Sequence, residues 1–218
     1  MPDLVTQTDL VTLYHSPNTR STGVLTLFEE LGVPFNLHTL NMKAGEQRAP
    51  AYLAINPMGK VPALMHRGQL VTEQVAIYIY LADLYPQAGL APTLDSPLRG
   101  PYLRFLAFYG SCFEPAAMDR AAKREPASQM ASPYGSFDDT VATITNRLRE
   151  GPYILGEQFS AADVLWGMAL TWMTSFKLIP ETPEITTYVK RVTSRPSFAR
   201  ARERDAALAA EHEAAVAA

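Results

Sequence analysis

The feature that most constrains this chain is the stretch from Asn56 to Pro86, NPMGKVPALMHRGQLVTEQVAIYIYLADLYP. A Pro-Met-Gly turn opens two short apolar runs, Val61 to Met65 and Gln69 to Val71, with His66-Arg67-Gly68 between them. Two strand-like runs joined by so short a Gly-bearing connection read as a β-hairpin. After Thr72-Glu73-Gln74 the apolar residues switch to helical spacing at Ala76, Ile77, Tyr80, Leu81 and Leu84. Pro86 ends the run, since proline cannot continue a helix. The segment is therefore strand, tight loop, strand, helix, with polar residues gathered where the helix begins.

Two positions in it carry two readings each. Pro62 is either a strand-start proline, where a missing N–H is tolerated, or a cis-proline that leaves the backbone groups of Val61 free for a bound peptide. Glu73-Gln74 either complements the helix dipole or, through the Gln74 side chain and the unpaired N–H groups there, holds a ligand carboxylate.

The remainder of the chain fits around this unit. At 218 residues and 47% hydrophobic content it suffices for one large or two modest domains. Leu10 to His15 has strand composition and runs into the turn Ser16-Pro17-Asn18-Thr19. A helical pattern follows, with Val24, Leu27, Phe28 and Leu31 on one face, Glu29 and Glu30 outside it, and Gly32 as the stop. Phe35 to Leu40 is a second strand, and a polar helical stretch from about Gly45 to Ala54 leads to the hairpin. The order βαβαββα is an α/β thioredoxin-like plan, with the crossover right-handed. Residues 87–98, rich in Gly and Pro, read as a linker between a domain over 1–86 and an all-α C-terminal domain over 99–218.

Within that second domain, helices are expected from Pro101 to about Lys123 and from Pro133 to Glu150. Ser160 with Asp163 three residues on gives a reciprocal cap, so this aspartate reads as structural. The helix it opens, through Val164, Leu165, Trp166, Met168, Leu170, Trp172, Met173 and Phe176, is apolar nearly all round and should be central. The pattern stays helical beyond this point, with an Ala-rich tail from about Ala206 expected to fray.

Composition excludes several functions. A net charge of −3, with 19 basic and 22 acidic residues and no charge block at either end, gives nucleic-acid binding no support. No apolar run approaches the ~20 residues of a membrane span, and MPDLVTQTD lacks the pattern of a signal peptide. A cytoplasmic protein is the expectation. The one cysteine, Cys112, excludes a disulfide framework or CxxC pair and, among aromatic neighbours, is expected to be buried. His15, His38, His66 and His212 have no metal-ligand spacing, so no metal is expected.

Chemistry is expected in the loop between the first strand and helix. A ligand thiol held at a helix N-terminus meets unpaired N–H groups and the positive end of the dipole, and both favour the thiolate. The loop SPNTRS offers hydroxyls from Ser16, Thr19 and Ser21, besides Asn18 and Arg20. Such a loop can equally do no more than cap its helix.

The hairpin segment resembles the second half of the glutathione-binding domain of glutathione transferases, whose Val/Ile-Pro before the third strand and Glu-Ser-like pair at the third helix stand here as Val61-Pro62 and Glu73-Gln74. NPMGKVPAL and AIYIYLADLYP are similar to the bacterial members, and the Ser-x-x-Asp at Ser160 resembles the helix cap of their C-terminal domain. The resemblance implies glutathione as co-substrate, bound through the backbone of Val61 beside Pro62, with Glu73 and Gln74 at its γ-glutamyl end, Lys60 at its glycyl carboxylate and the Arg20 amide close to the sulfur. On an ungapped comparison with the beta-type members, their first-strand tyrosine falls on His15, their cysteine on Arg20 and the serine after it on Ser21. Tyr14 is one residue out of register and should face the other side of the sheet. Both usual routes of sulfur activation are absent. The resemblance to members with a Ser-Arg-Ser loop implies Thr19, then Ser21, then Ser16, with His15 and Tyr109 towards the pocket for a small hydrophobic electrophile. Beta-type members also carry an asparagine and a histidine on the first long helix, where this chain has Ala107 and Glu114.

The function implied is a glutathione transferase, cytosolic and bacterial in type, acting in detoxification as a homodimer. Two other classes stay open. One is a glutathione-dependent peroxidase or disulfide reductase, and the other is a non-catalytic glutathione-binding scaffold. The Ser-Ser-Cys loop of the maleylacetoacetate isomerase type is missing.

Overall fold

The structure, a computed structural model, describes residues 10–124, 128 and 130–217. Four strands, β1 Thr12–His15, β2 Asn36–Thr39, β3 Ala63–His66 and β4 Gln69–Val71, form one sheet in the order β2-β1-β3-β4. β1 is parallel to β2 and antiparallel to β3, and β3 is antiparallel to β4. The parallel pair needs a crossover, which α1 (Ser21–Leu31) supplies, while α2 (Pro50–Leu53) and α3 (Gln74–Leu84) complete the βαβαββα order.

The hairpin is tighter than expected. His66 joins β3 and pairs with Gln69, so the loop is only Arg67 and Gly68, at φ 50° and 73°. Positive φ at both positions is the two-residue turn whose twist matches paired strands. The stretch from Gly45 to Ala54 is not one helix. A single 3-10 turn, Glu46–Arg48, stops at extended Ala49, and α2 restarts with Pro50 at its first position, where a missing N–H costs nothing. On α3 the buried face holds Ile77, Tyr78, Leu81 and Ala82, whereas Ala76 is exposed.

The chain divides into two compact units, residues 1–81 with 196–218, and residues 82–195. The last helix, α9 (Pro196–Ala217), therefore packs with the sheet-bearing unit, along α1. This explains why α1 is buried on more than the one face expected, from Ser21 through Phe28. It also uses the two glutamates expected to face solvent. Arg200 Nε donates to Glu29 at 2.7 Å, and Ser197 Oγ donates to Glu30. The tail expected to fray is helical to Ala217, with the carbonyl of His212 accepting from Asn41 Nδ2 at 3.0 Å and Glu213 paired with Lys43 at 2.7 Å.

The second unit is helical, with α4 (Arg99–Phe108), α5 (Glu114–Ala121), α6 (Phe137–Arg149), α7 (Ala161–Ser175) and α8 (Pro183–Thr193). The long helix expected from Pro101 is interrupted by a π turn, Tyr109–Phe113, just before Pro115, whose ring cannot supply the next N–H. α6 begins four residues later than expected, because Ser136 Oγ accepts the Asp139 N–H at 3.0 Å and so fixes the helix start. Trp166 is fully buried at the centre, its Nε1–H on the Phe105 carbonyl at 3.1 Å and its ring against Phe108, Tyr109 and Phe113. Cys112, expected inside this cluster, is half-buried. The segment read as a linker is anchored, since Leu90 is buried and its carbonyl accepts the Ala161 N–H at 2.8 Å.

Asp163 is the polar centre of this unit. Fully buried, it accepts from Ile154 N–H (2.7 Å), Ser160 N–H (2.9 Å) and Tyr188 O–H (2.9 Å). Burial outweighs these donors and pushes its pKa up to about 6. With the Ser160 hydroxyl as a further donor at 3.1 Å, Asp163→Ala strands four buried donors and should lower the unfolding free energy by roughly 3 kcal/mol in urea titrations. The raised pKa means that the folded chain keeps a proton which the unfolded chain releases, so this carboxyl's contribution falls as pH rises. Between about pH 4 and 6, Asp163→Asn should gain on the wild type by on the order of 2 kcal/mol, and a gap constant with pH would refute this.

Candidate functional site

The end of β1, the loop after it and the first turn of α1 form a closed hydrogen-bond system. Ser21 Oγ accepts the Ser16 N–H at 3.1 Å and lies 2.8 Å from His15 Nδ1, 2.7 Å from Thr19 Oγ1 and 3.0 Å from the Ser16 carbonyl. Thr19 Oγ1 donates to that same carbonyl at 2.7 Å and accepts the Ser21 N–H at 3.2 Å. A hydroxyl has one proton to give. The protons of Thr19 and Ser21 thus have acceptors inside the loop. Ser16 Oγ makes no hydrogen bond with the described residues.

His15, expected towards the electrophile pocket, is fully buried. Its Nε2 lies 2.9 Å from Asp205 Oδ1 on α9, an ion-pair distance, although the ring N–H points off the line of a hydrogen bond. Asp205 Oδ2 accepts the Asn18 N–H at 2.9 Å and the Thr22 hydroxyl at 2.7 Å. Burial raises the Asp205 pKa, but His15, Thr22 and Asn18 outweigh it and hold the carboxyl below its usual range. Nothing in the loop motif pointed to Asp205. The available signal was its place in the helical stripe Phe198, Ala201, Asp205, Leu208, His212, a charge where an apolar residue belongs.

Tyr14 faces the other way, as strand alternation requires, and packs with Leu40, Tyr52 and Ala63. Tyr109 lies in the other compact unit, buried, its hydroxyl donating to Glu114 Oε1 at 2.8 Å.

The second half of the candidate site flanks β3. The Val61–Pro62 peptide is cis. The β1–β3 register ends at Tyr14 and Ala63, so Val61 lies beyond the ladder. Just before it, the Lys60 carbonyl is clamped by Tyr52 O–H (2.6 Å) and Asn56 Nδ2 (2.9 Å), while the Lys60 side chain is exposed. Glu73 is exposed with φ 63°, a left-handed turn by which the chain pivots from β4 into α3. Gln74 then opens α3, its Nε2 directed to the Arg20 carbonyl at 3.4 Å and its Oε1 buried without a partner. Arg20 is thereby linked to Gln74, and the beginnings of α1 and α3 meet.

Among the described residues no group of three or more His, Cys, Asp or Glu side chains is placed to hold a metal ion, and no helix is long and apolar enough to cross a membrane.

Comparison with known proteins agrees with this geometry. The family profile described as "Glutathione S-transferase, N-terminal domain" matches residues 10–83, and its C-terminal counterpart matches residues 136–196. Glutathione S-transferase GstA of Escherichia coli O157:H7 is 28% identical over 187 residues, 84% of this chain and 93% of that one. A solved glutathione transferase from Methylococcus capsulatus is 28% identical with a TM-score of 0.75, covering 90% of this chain and 99% of that one. A glutathione transferase homologue from Sulfitobacter, solved with bound glutathione, is 30% identical with a TM-score of 0.69, covering 90% and 98%.

Gly59 sets the approach to Val61. It has φ 60°, and an added Cβ would meet the Gln47 carbonyl oxygen and Arg48 Nη1, both at 2.7 Å. Gly59→Ala should destabilise by at least about 1–2 kcal/mol, from the left-handed backbone alone, with the clash added. An unchanged thermal midpoint would mean that the segment has room to shift.

Proposed function

The chain belongs to the glutathione S-transferase family, and from that premise we propose that it binds glutathione between the starts of α1 and α3 and presents the thiolate to a small hydrophobic electrophile. The observation that carries this reading is Gln74, whose Nε2 faces the Arg20 carbonyl while Oε1 stays buried without a donor. A buried acceptor without a donor is costly, and the amino group at the γ-glutamyl end of glutathione is a fitting one. Glu73 at the same pivot serves that end, Val61 pairs its backbone with the cysteinyl part in the manner of an added strand, and exposed Lys60 suits the glycyl carboxylate.

The sulfur then belongs at the start of α1, where the dipole favours an anion. Of the hydroxyls there, we assign the sulfur contact to Ser16, since Thr19 and Ser21 spend their protons within the loop. The Arg20 amide lies in the same turn. Catalysis is positioning plus thiolate stabilisation, with the nucleophile supplied by glutathione. The working protein on this reading is a cytosolic homodimer.

The test is the thiol pKa of bound glutathione, followed by thiolate absorbance against pH, alongside conjugation of a chlorinated aromatic. Ser16→Ala should raise that pKa by at least about one unit, a tenfold loss of thiolate, with an unchanged thermal midpoint. Thr19→Ala should act less. Tight binding without any pKa depression in the wild type would sink the transferase reading and leave a binding scaffold. Disulfide exchange without conjugation would move the assignment to the reductase class.

A further inference from the structure

We propose that Asp205, on the last helix, is a positioning residue for the thiol-activating loop. It acts as one carboxylate that fixes the end of β1, the loop and the first turn of α1 together. The proposal deepens the reading above and rests on it for its catalytic consequence, although the clamp itself stands on geometry alone.

Each of the three segments gives Asp205 one group. β1 ends in His15, whose Nε2 stands 2.9 Å from Oδ1. The loop gives the N–H of Asn18, at 2.9 Å from Oδ2. The first turn of α1 gives the Thr22 hydroxyl, at 2.7 Å from the same oxygen. Asn18 is the loop residue with positive φ, 56°, so the N–H held by Asp205 belongs to the residue that turns the chain from strand into helix. Through His15 Nδ1 the clamp reaches Ser21 Oγ, and through Ser21 it reaches the Ser16 N–H and Thr19 Oγ1. The Thr19 and Ser21 hydroxyls and the backbone of Ser16 are thus tied to one residue at least 183 positions away in sequence.

The other links between α9 and α1 differ in kind. Arg200 with Glu29, and Ser197 with Glu30, join the far end of α1 to the start of α9 and touch nothing in the loop. They hold the helices together, whereas Asp205 sets the loop's shape. A carboxylate that receives an N–H, an O–H and an imidazole is well matched to this position, and an apolar residue would leave the Asn18 N–H and the Thr22 hydroxyl without partners.

The experiment compares full-length wild type, Asp205→Ala, Asp205→Asn and Arg200→Ala. Four quantities are read: thermal midpoint, amide hydrogen exchange at Asn18, thiol pKa of bound glutathione, and kcat against KM for a chlorinated aromatic. Asp205→Ala should speed Asn18 exchange at least about tenfold and raise the bound thiol pKa by about one unit, with the loss falling mainly on kcat. Asp205→Asn keeps an oxygen for Asn18 and Thr22 and should recover part of both effects. Arg200→Ala should lower the midpoint without moving either the exchange or the pKa. Unchanged Asn18 protection in both Asp205 variants would overturn the clamp. A lowered midpoint with wild-type thiol pKa and kcat would reduce Asp205 to a structural residue and overturn its positioning role. If the wild type itself shows no thiol pKa depression, the transferase reading fails, and the exchange data still decide the clamp. Should Asp205→Ala fail to fold, Asp205→Asn carries the same four readouts.

Discussion

A carboxylate can be buried only where donors replace its water. Each compact unit of this chain is built around one such group, Asp205 in the unit with the sheet and Asp163 in the helical unit. Both meet donors from segments distant in sequence, and both lie at a helix start, Asp163 in its own helix and Asp205 beside the first turn of α1. Their pKa values nevertheless move in opposite directions. Asp163 is enclosed so completely that desolvation exceeds four donors, and its pKa rises to about 6. Asp205 is less enclosed and faces an imidazole, so its donors exceed desolvation and its pKa falls. The first arrangement suits a joint that only has to hold elements together. The second keeps a charge next to the loop in which we propose the chemistry takes place.

Much of this was legible in the sequence because it is written in local rules. The pivot at Thr72-Glu73-Gln74 and the Ser160–Asp163 cap follow from turn chemistry and spacing, and the structure places both where those rules put them, while the hairpin forms with a loop one residue shorter than its spacing suggested. Tyr14 facing away from the loop follows from strand alternation alone. What was not legible depends on contacts distant in sequence. The stretch from Gly45 to Ala54 has helical composition, but Pro50 and the left-handed Gly45 cut it into two single turns. The choice between a cis-proline and a strand-start proline at Pro62 could not be made from pattern. The alanine-rich end looked loose because its composition is weakly apolar. Its stripe from Phe198 to His212 does carry the helical period, and α1 is the surface it covers.

The loop itself is a problem of proton accounting. Three hydroxyls lie within six residues, and a sequence offers no reason to prefer one. The resemblance to family members with a Ser-Arg-Ser loop puts Thr19 first. The reading we propose reverses that order, since a hydroxyl that already donates to a carbonyl at 2.7 Å has no proton left for a ligand. Ser21 is in the same position with respect to the Ser16 carbonyl, at 3.0 Å. Both residues shape the loop, which on the proposed reading leaves the sulfur to the Ser16 hydroxyl.

The substitution of histidine for a first-strand tyrosine then has a physical sense. A phenol at the end of β1 could itself donate to a ligand, but an imidazole pointed into the protein cannot reach one. Moving Tyr14 into that role would require slipping β1 by one residue, which would turn Leu13 and His15 to the opposite face of the sheet and break every pairing with β2 and β3. The chain keeps the strand register, and the reading we propose puts the donor in the loop. That shift needs a rigid loop, and a loop of Ser, Pro, Asn and Thr has little rigidity of its own. His15 supplies it from the position that the tyrosine would occupy, by joining Ser21 to a carboxylate on the last helix. Losing the phenol and gaining the clamp are, on this view, two sides of one change.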